Sequence, residues 1–172
     1  MTITRHWGST ADERAQHFPC ERFVSNPDGA VFRAIDIVAP PAIVFRWLCQ
    51  LRVAPYSYDL LDNLGRTSPR ELTPGLDDLA VGQRVMTIFE LVEFERDHHI
   101  TLVLDRGRWL FGDLAVTYRV TPAAGGSRLV VKMVARARGL LARALQPAMP
   151  AGDLVMMRKQ FLTIKQLAER GT

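Results

Sequence analysis

The stretch DLAVTYRVT, residues 113–121, alternates Leu114, Val116, Tyr118 and Val120 with Ala115, Thr117, Arg119 and Thr121. Successive side chains on a strand point to opposite faces, so this period of two specifies a strand with one dry and one wet face. The loop PAAGG (122–126) suits a hairpin, and SRLVVKMVAR (127–136) returns with Leu129, Val131, Met133 and Ala135 in the same alternation. A sheet with a dry face needs an element to cover it. The last pattern in the chain supplies one: Leu154, Met157, Phe161, Ile164 and Ala168 form an apolar stripe at helical spacing. Arg158, Lys159, Gln166, Glu169 and Arg170 lie away from that stripe. The spacing predicts a helix over 153–170, with Asp153 as its cap.

The elements before this pair follow from local signals. Thr10 and Glu13 have capping-box spacing, which predicts a helix over 11–17 that Pro19 stops. Asn26-Pro27-Asp28-Gly29 is a turn signal before VFRAIDIV (31–38), rich in β-branched and aromatic residues and read as the first strand. Pro40 and Pro41 end that strand and open a helix over 42–51, whose Val44, Trp47, Leu48 and Leu51 share one face. Pro55 breaks it. A second short helix is expected over 57–64, with Gly65 at its left-handed end. Residues 66–82 read as loop, and 84–95 and 98–105 as two further strands. The whole reads as one α+β domain spanning 1–172, with 1–28 as an N-terminal arm carrying a short helix.

Bulk properties exclude several classes. No apolar run approaches the ~20 residues of a membrane span, and MTITRHWGST lacks the apolar stretch of a secretory leader. A cytoplasmic protein without integral membrane association is expected. Of 22 basic residues, 19 are arginine, scattered without an aromatic-basic strip, so the net charge of +4 describes a solvated surface and not a nucleic-acid site. Cys20 and Cys49 are too few for a disulfide framework and read as small apolar side chains. Nothing fixes an oligomeric state.

Five stretches extend this pattern into a resemblance: TRHWGSTADERAQHFPCERFV (4–24), VFRAIDIVAPPAIVFRWLCQL (31–51), YSYDLLDNLG (56–65), LDDLAVGQRV (76–85) and DLVMMRKQFLTIKQLAE (153–169). In this order the chain resembles uncharacterised bacterial members of the SRPBCC superfamily, the START, birch-pollen-allergen-like and polyketide cyclase-like proteins. The resemblance implies a helix-grip fold: a curved antiparallel sheet wrapped around a long C-terminal helix, with two short helices after the first strand. It also implies a cavity between sheet and helix for a small hydrophobic molecule such as a lipid, polyketide or aromatic metabolite. No cyclase signature is present, so no catalytic role carries over.

Candidate ligand-contacting residues are Trp47, Tyr56, Tyr58, Asp59, Phe89, Trp109, Tyr118, Met133, Met157 and Phe161, with Met86 and Phe111 in the same aromatic and methionine set. Two readings stand for APYSYDLLDN (54–63). Tyr58 and Asp59 form a proton-transfer pair, as in a cyclase or dehydratase, or they are a pocket rim with Asp59 near a helix N-terminus. RGRWLFGD (106–113) reads as a hairpin loop or a lip over a cavity mouth. RARGLLARALQP (136–147) reads as a connector helix, a membrane-surface element or a partner-docking segment. His98 and His99 are adjacent, and on a strand they point to opposite faces, so no metal site is expected. No phosphate loop, HExxH or GxSxG motif occurs, and no cofactor is expected.

Overall fold

A computed structural model describes residues 3–57 and 68–170. The chain opens with a short helix α1 (Ile3–His6), a second, α2 (Ala11–Ala15), and a 3₁₀ turn (Pro19–Phe23). Strand β1 (Gly29–Ile37) leads into α3 (Pro41–Cys49) and a 3₁₀ turn (Gln50–Arg52). Then come β2 (Arg84–Val85), β3 (Phe89–Glu95), β4 (His99–Leu104), one helical turn α4 (Arg108–Phe111), β5 (Asp113–Ala123) and β6 (Gly126–Arg136). Helices α5 (Gly139–Leu145) and α6 (Met149–Glu169) end it. The strands form one antiparallel sheet in the order β1-β6-β5-β4-β3-β2. The expected second helix over 57–64 falls almost wholly on 58–67, outside the described residues.

The long hairpin β5–β6 is the spine. Its register sets Leu114, Val116, Tyr118 and Val120 opposite Ala135, Met133, Val131 and Leu129, so the inner face is apolar over the hairpin's length. Against it pack Val44, Trp47, Leu48 and Leu51 from the α3 region and Phe161, Ile164, Leu167 and Ala168 from α6. Helix α6 lies mainly along β1, α3 and α1.

Three expectations are corrected. The outer face is not wet: Ala115 and Thr117 are buried, because the N-terminal arm lays Phe18, Cys20 and Val24 over Phe32, Ala34, Val130 and Val134. Thr117 Oγ1 accepts from the Cys20 N–H at 2.9 Å and shares a 2.9 Å hydrogen bond with Thr101, which satisfies its hydroxyl under the arm. Arg119 stacks 3.8 Å over the Phe18 ring. Strands whose alternate positions are apolar on both sides read as near-continuous hydrophobic runs, as VFRAI and RLVVKMV do. Next, residues 84–95 are two strands, because Met86 and Thr87 take left-handed backbone (φ +46° and +67°) and the Met86 N–H is tied to the Leu51 carbonyl at 2.9 Å. Finally, α6 starts at Met149, so Asp153 lies inside the helix and does not cap it.

The arm is docked as well as draped. Its capping box forms as expected, with Thr10 N–H to Glu13 at 2.7 Å and Glu13 N–H to Thr10 at 3.2 Å. His6 and Trp7 bridge to Phe32 and Arg33 of β1, and Gly8 turns the chain away at φ +73°. A Cβ at Gly8 would sit 2.0 Å from the Ala34 carbonyl oxygen. Gly8→Ala is therefore expected to cost about 2 kcal/mol or more in denaturant unfolding. Gly152→Ala, in open space on α6, should stabilise by about 0.5–1 kcal/mol.

Candidate ligand-binding site

Among the described residues, the middle of the inner face is apolar except for one row, and Ser127 is buried at the hairpin end with its hydroxyl donating to the Ala39 carbonyl. Arg33 on β1 pairs with Val131 on β6, which pairs with Tyr118 on β5, so arginine and tyrosine lie across the sheet with one valine between them. Helix α6 runs above with Asp153, Met157 and Gln160, spaced so that they share a helix face. Arg33 is 1% exposed. Its Nη2 donates to Asp153 Oδ2 at 2.6 Å and to the carbonyls of Thr4 at 2.7 Å and Pro150 at 3.1 Å, and Nη1 donates to Phe32 O at 2.8 Å. The guanidinium therefore joins β1, α1 and the start of α6 at one point.

The Tyr118 hydroxyl donates to Gln160 Oε1 at 3.0 Å and lies 3.6 Å from the Met157 sulfur. Gln160 Nε2 donates onward to the Pro55 carbonyl at 2.6 Å. Burial, helped by the nearby Asp153 charge, pushes the Tyr118 phenol up, so it is a neutral donor at physiological pH. Burial raises the Asp153 carboxyl to about 6 against the pull of Arg33. Burial likewise pushes the Cys49 thiol up to about 12, so it is no nucleophile.

Beside this row, at the sheet end where β6 leaves for α5, is a pocket of about 50 Å³. Val31, Leu114 and Met133 form its floor, Phe111 and Ala142 its side, and Arg5 stands at its rim. Val31 and Leu114 lie two residues before Arg33 and four before Tyr118 on the same inner faces, so the floor continues directly to the polar row.

The candidate ligand contacts are distributed over this layer. Met133 lines the pocket, and Met157 meets Tyr118. Trp47 and Tyr56 are buried edge-to-face at 6.0 Å, with Tyr56 held at φ +56°. Phe161 is buried against Trp7 at 6.1 Å, and Phe89 and Met86 pack half-buried on the core. Trp109 is 72% exposed on α4 and stands apart from them. Tyr58 and Asp59 lie outside the described residues. Sequence reasoning passed over Arg33, Asp153 and Gln160 as site residues. The signals to hand were an arginine inside an apolar strand and a glutamine beside the apolar helix stripe.

No family model matches the chain, and no curated protein does. Solved structures do. The protein TTHA0849 from Thermus thermophilus is 12% identical, with a TM-score of 0.53 over 84% of this chain and 99% of that one. The protein MLL2253 from Mesorhizobium loti is 18% identical, with a TM-score of 0.50 over 84% and 99%. The di-domain aromatase/cyclase BexL of the BE-7585A biosynthetic pathway is 18% identical, with a TM-score of 0.52 over 86% of this chain and 53% of its own, so the chain spans about half of that protein. The fold is the helix-grip arrangement: an open six-stranded antiparallel sheet with a long C-terminal helix.

Arg33→Met is expected to destabilise by about 3 kcal/mol, since it strands a largely buried carboxylate. The sign with pH follows from Asp153, at about 6 when folded against an ordinary 3.8. The folded state keeps a proton that the unfolded chain releases, so this group's contribution declines as pH rises from about 4 to about 6. Without Arg33 the carboxyl titrates higher still, so urea unfolding should show a larger loss near pH 8 than near pH 5. Arg33→Met combined with Asp153→Leu should recover most of the loss at both.

Proposed function

We propose that this chain binds a small, mostly apolar molecule carrying a polar group, seated between the inner sheet face and α6 and entering at the pocket floored by Val31, Leu114 and Met133. The observation that carries this reading is an apolar opening continuous with a buried polar row, in a fold shared with named aromatase/cyclases. Apolar burial would supply affinity at ~25 cal/mol per Å², and Tyr118 or Gln160 would orient the polar end by exchanging their mutual hydrogen bond for one to the ligand.

A volume of about 50 Å³ holds a few waters, whereas metabolite-sized ligands occupy pockets of roughly 300 Å³ or more. Entry on this reading therefore displaces α4 and α5. Helix α5 suits such a movement, since Ala142 is its one buried residue and Leu140 is 88% exposed. Carriage is favoured over cyclisation because the interior phenol is a neutral donor and the interior carboxyl is engaged by Arg33.

Native mass spectrometry of gently purified protein, followed by titration with cis-parinaric acid and 1-anilinonaphthalene-8-sulfonate, tests the proposal. One equivalent of a co-purifying molecule or of either probe is expected, with hydrogen exchange slowed over 139–150. Met133→Trp, which fills the floor, should weaken probe binding at least ~10-fold. Absence of both a co-purifying molecule and saturable probe binding would overturn the reading.

A further inference from the structure

The β3–β4 hairpin carries a feature that the interior site does not use. Glu95 and His99 are direct cross-strand partners, and the chain reverses between them through Arg96, Asp97 (φ +60°) and His98. His98 thus belongs to the turn, not the strand, so the expectation that the two histidines face opposite ways does not hold. Their rings meet edge-to-face at 5.3 Å. His98 Nδ1 lies 3.0 Å from Glu95 Oε2 and 3.4 Å from His99 Nδ1, and His99 Nδ1 lies 3.7 Å from Glu95 Oε2.

Those three separations match the edges of a tetrahedral ligand face. An ion at ~2.0–2.1 Å from three ligand atoms in tetrahedral geometry sets them about 3.3–3.4 Å apart, and 3.0, 3.4 and 3.7 Å bracket that value. The supporting groups match as well. The His99 side chain is 9% exposed, and its Nε2, without a hydrogen-bond partner among the described residues, faces Glu93 Oε1 at 3.5 Å. That is the carboxylate–imidazole–metal order in which an outer carboxylate fixes the tautomer of a ligand that binds through its other nitrogen. Glu93 is aimed by the register shift in β3 between Leu91 and Glu93 and is held by Arg22 from the N-terminal arm. The turn itself is pinned by the Val120 N–H donating to His98 O at 2.7 Å. Glu95 and His98 are open to solvent, which leaves an access route and a fourth position for water.

We propose that Glu95, His98 and His99 form a binding site for a borderline divalent metal ion of the zinc type, with Glu93 positioning His99. The two nitrogens and one carboxylate oxygen suit Zn²⁺ over Mg²⁺ or Ca²⁺, which take all-oxygen sets.

Tag-free, chelator-stripped full-length protein titrated with Zn²⁺ against a chromophoric chelator, and separately with Co²⁺, tests this. One equivalent of Zn²⁺ should bind, and Co²⁺ should give the intense visible bands of four-coordination. His98→Ala and Glu95→Gln, both at exposed positions, should each weaken binding at least ~10-fold, and Glu93→Gln about 10-fold. His17→Ala, at another His–Glu pair, should change nothing. The proposal fails if no saturable Zn²⁺ uptake occurs, if uptake survives both His98→Ala and Glu95→Gln, or if it disappears with His17→Ala.

Discussion

Strands β1, β5 and β6 carry apolar side chains on both faces, and two different parts of the chain must therefore cover one sheet. The C-terminal helix and α3 bury the inner face around Val116, Leu129 and Val131. The N-terminal arm buries the outer face around Phe32, Ala34 and Val130. The arm lies about ninety residues before the central hairpin and the long helix follows it, so the sheet forms a layer between segments from the two ends of the chain. The arm's dependence on Gly8, Arg128 and the Lys132–Glu21 pair follows from this arrangement.

Within that framework, polar groups are placed where geometry between elements has to be fixed. The Arg33–Asp153 pair fixes where α6 begins relative to β1, and Tyr118–Gln160–Pro55 fixes α6 relative to β5 and the segment that follows α3 and its 3₁₀ turn. A buried ion pair adds little net stability against an apolar substitute of equal volume, but loss of one partner is strongly penalised. Tyr118 and Gln160, which make the second of these ties, are also the groups proposed to orient a ligand. The structural tie and the proposed orientation of a ligand therefore draw on the same residues.

The outer hairpin at Glu95–His99 is chemically separate. It faces away from the apolar pocket, on the side of the arm, and its geometry comes from the hairpin turn and from Arg22 holding Glu93. An ion there would tie the arm to the β3–β4 hairpin through Glu93, on the opposite face of the sheet from the opening at Met133.

Much of the architecture was legible because it rests on local periodicity. The alternation of 113–136, the stripe of Met157, Phe161 and Ile164, and the Thr10–Glu13 box each encode an element within a few residues, and each formed. What stayed hidden depends on residues that meet across the chain. Thr117 reads as solvent-facing until Phe18 and Cys20 arrive from nearly a hundred residues away. Asp153 reads as a cap until Arg33 is found beneath it, and His98 reads as a strand residue until Asp97 turns the backbone. Periodicity determines which faces are apolar, since it is a property of neighbours along the chain. Tertiary structure alone decides which polar atoms come within hydrogen-bond distance, because that depends on the registration of elements to within about an ångström, and no local pattern carries it.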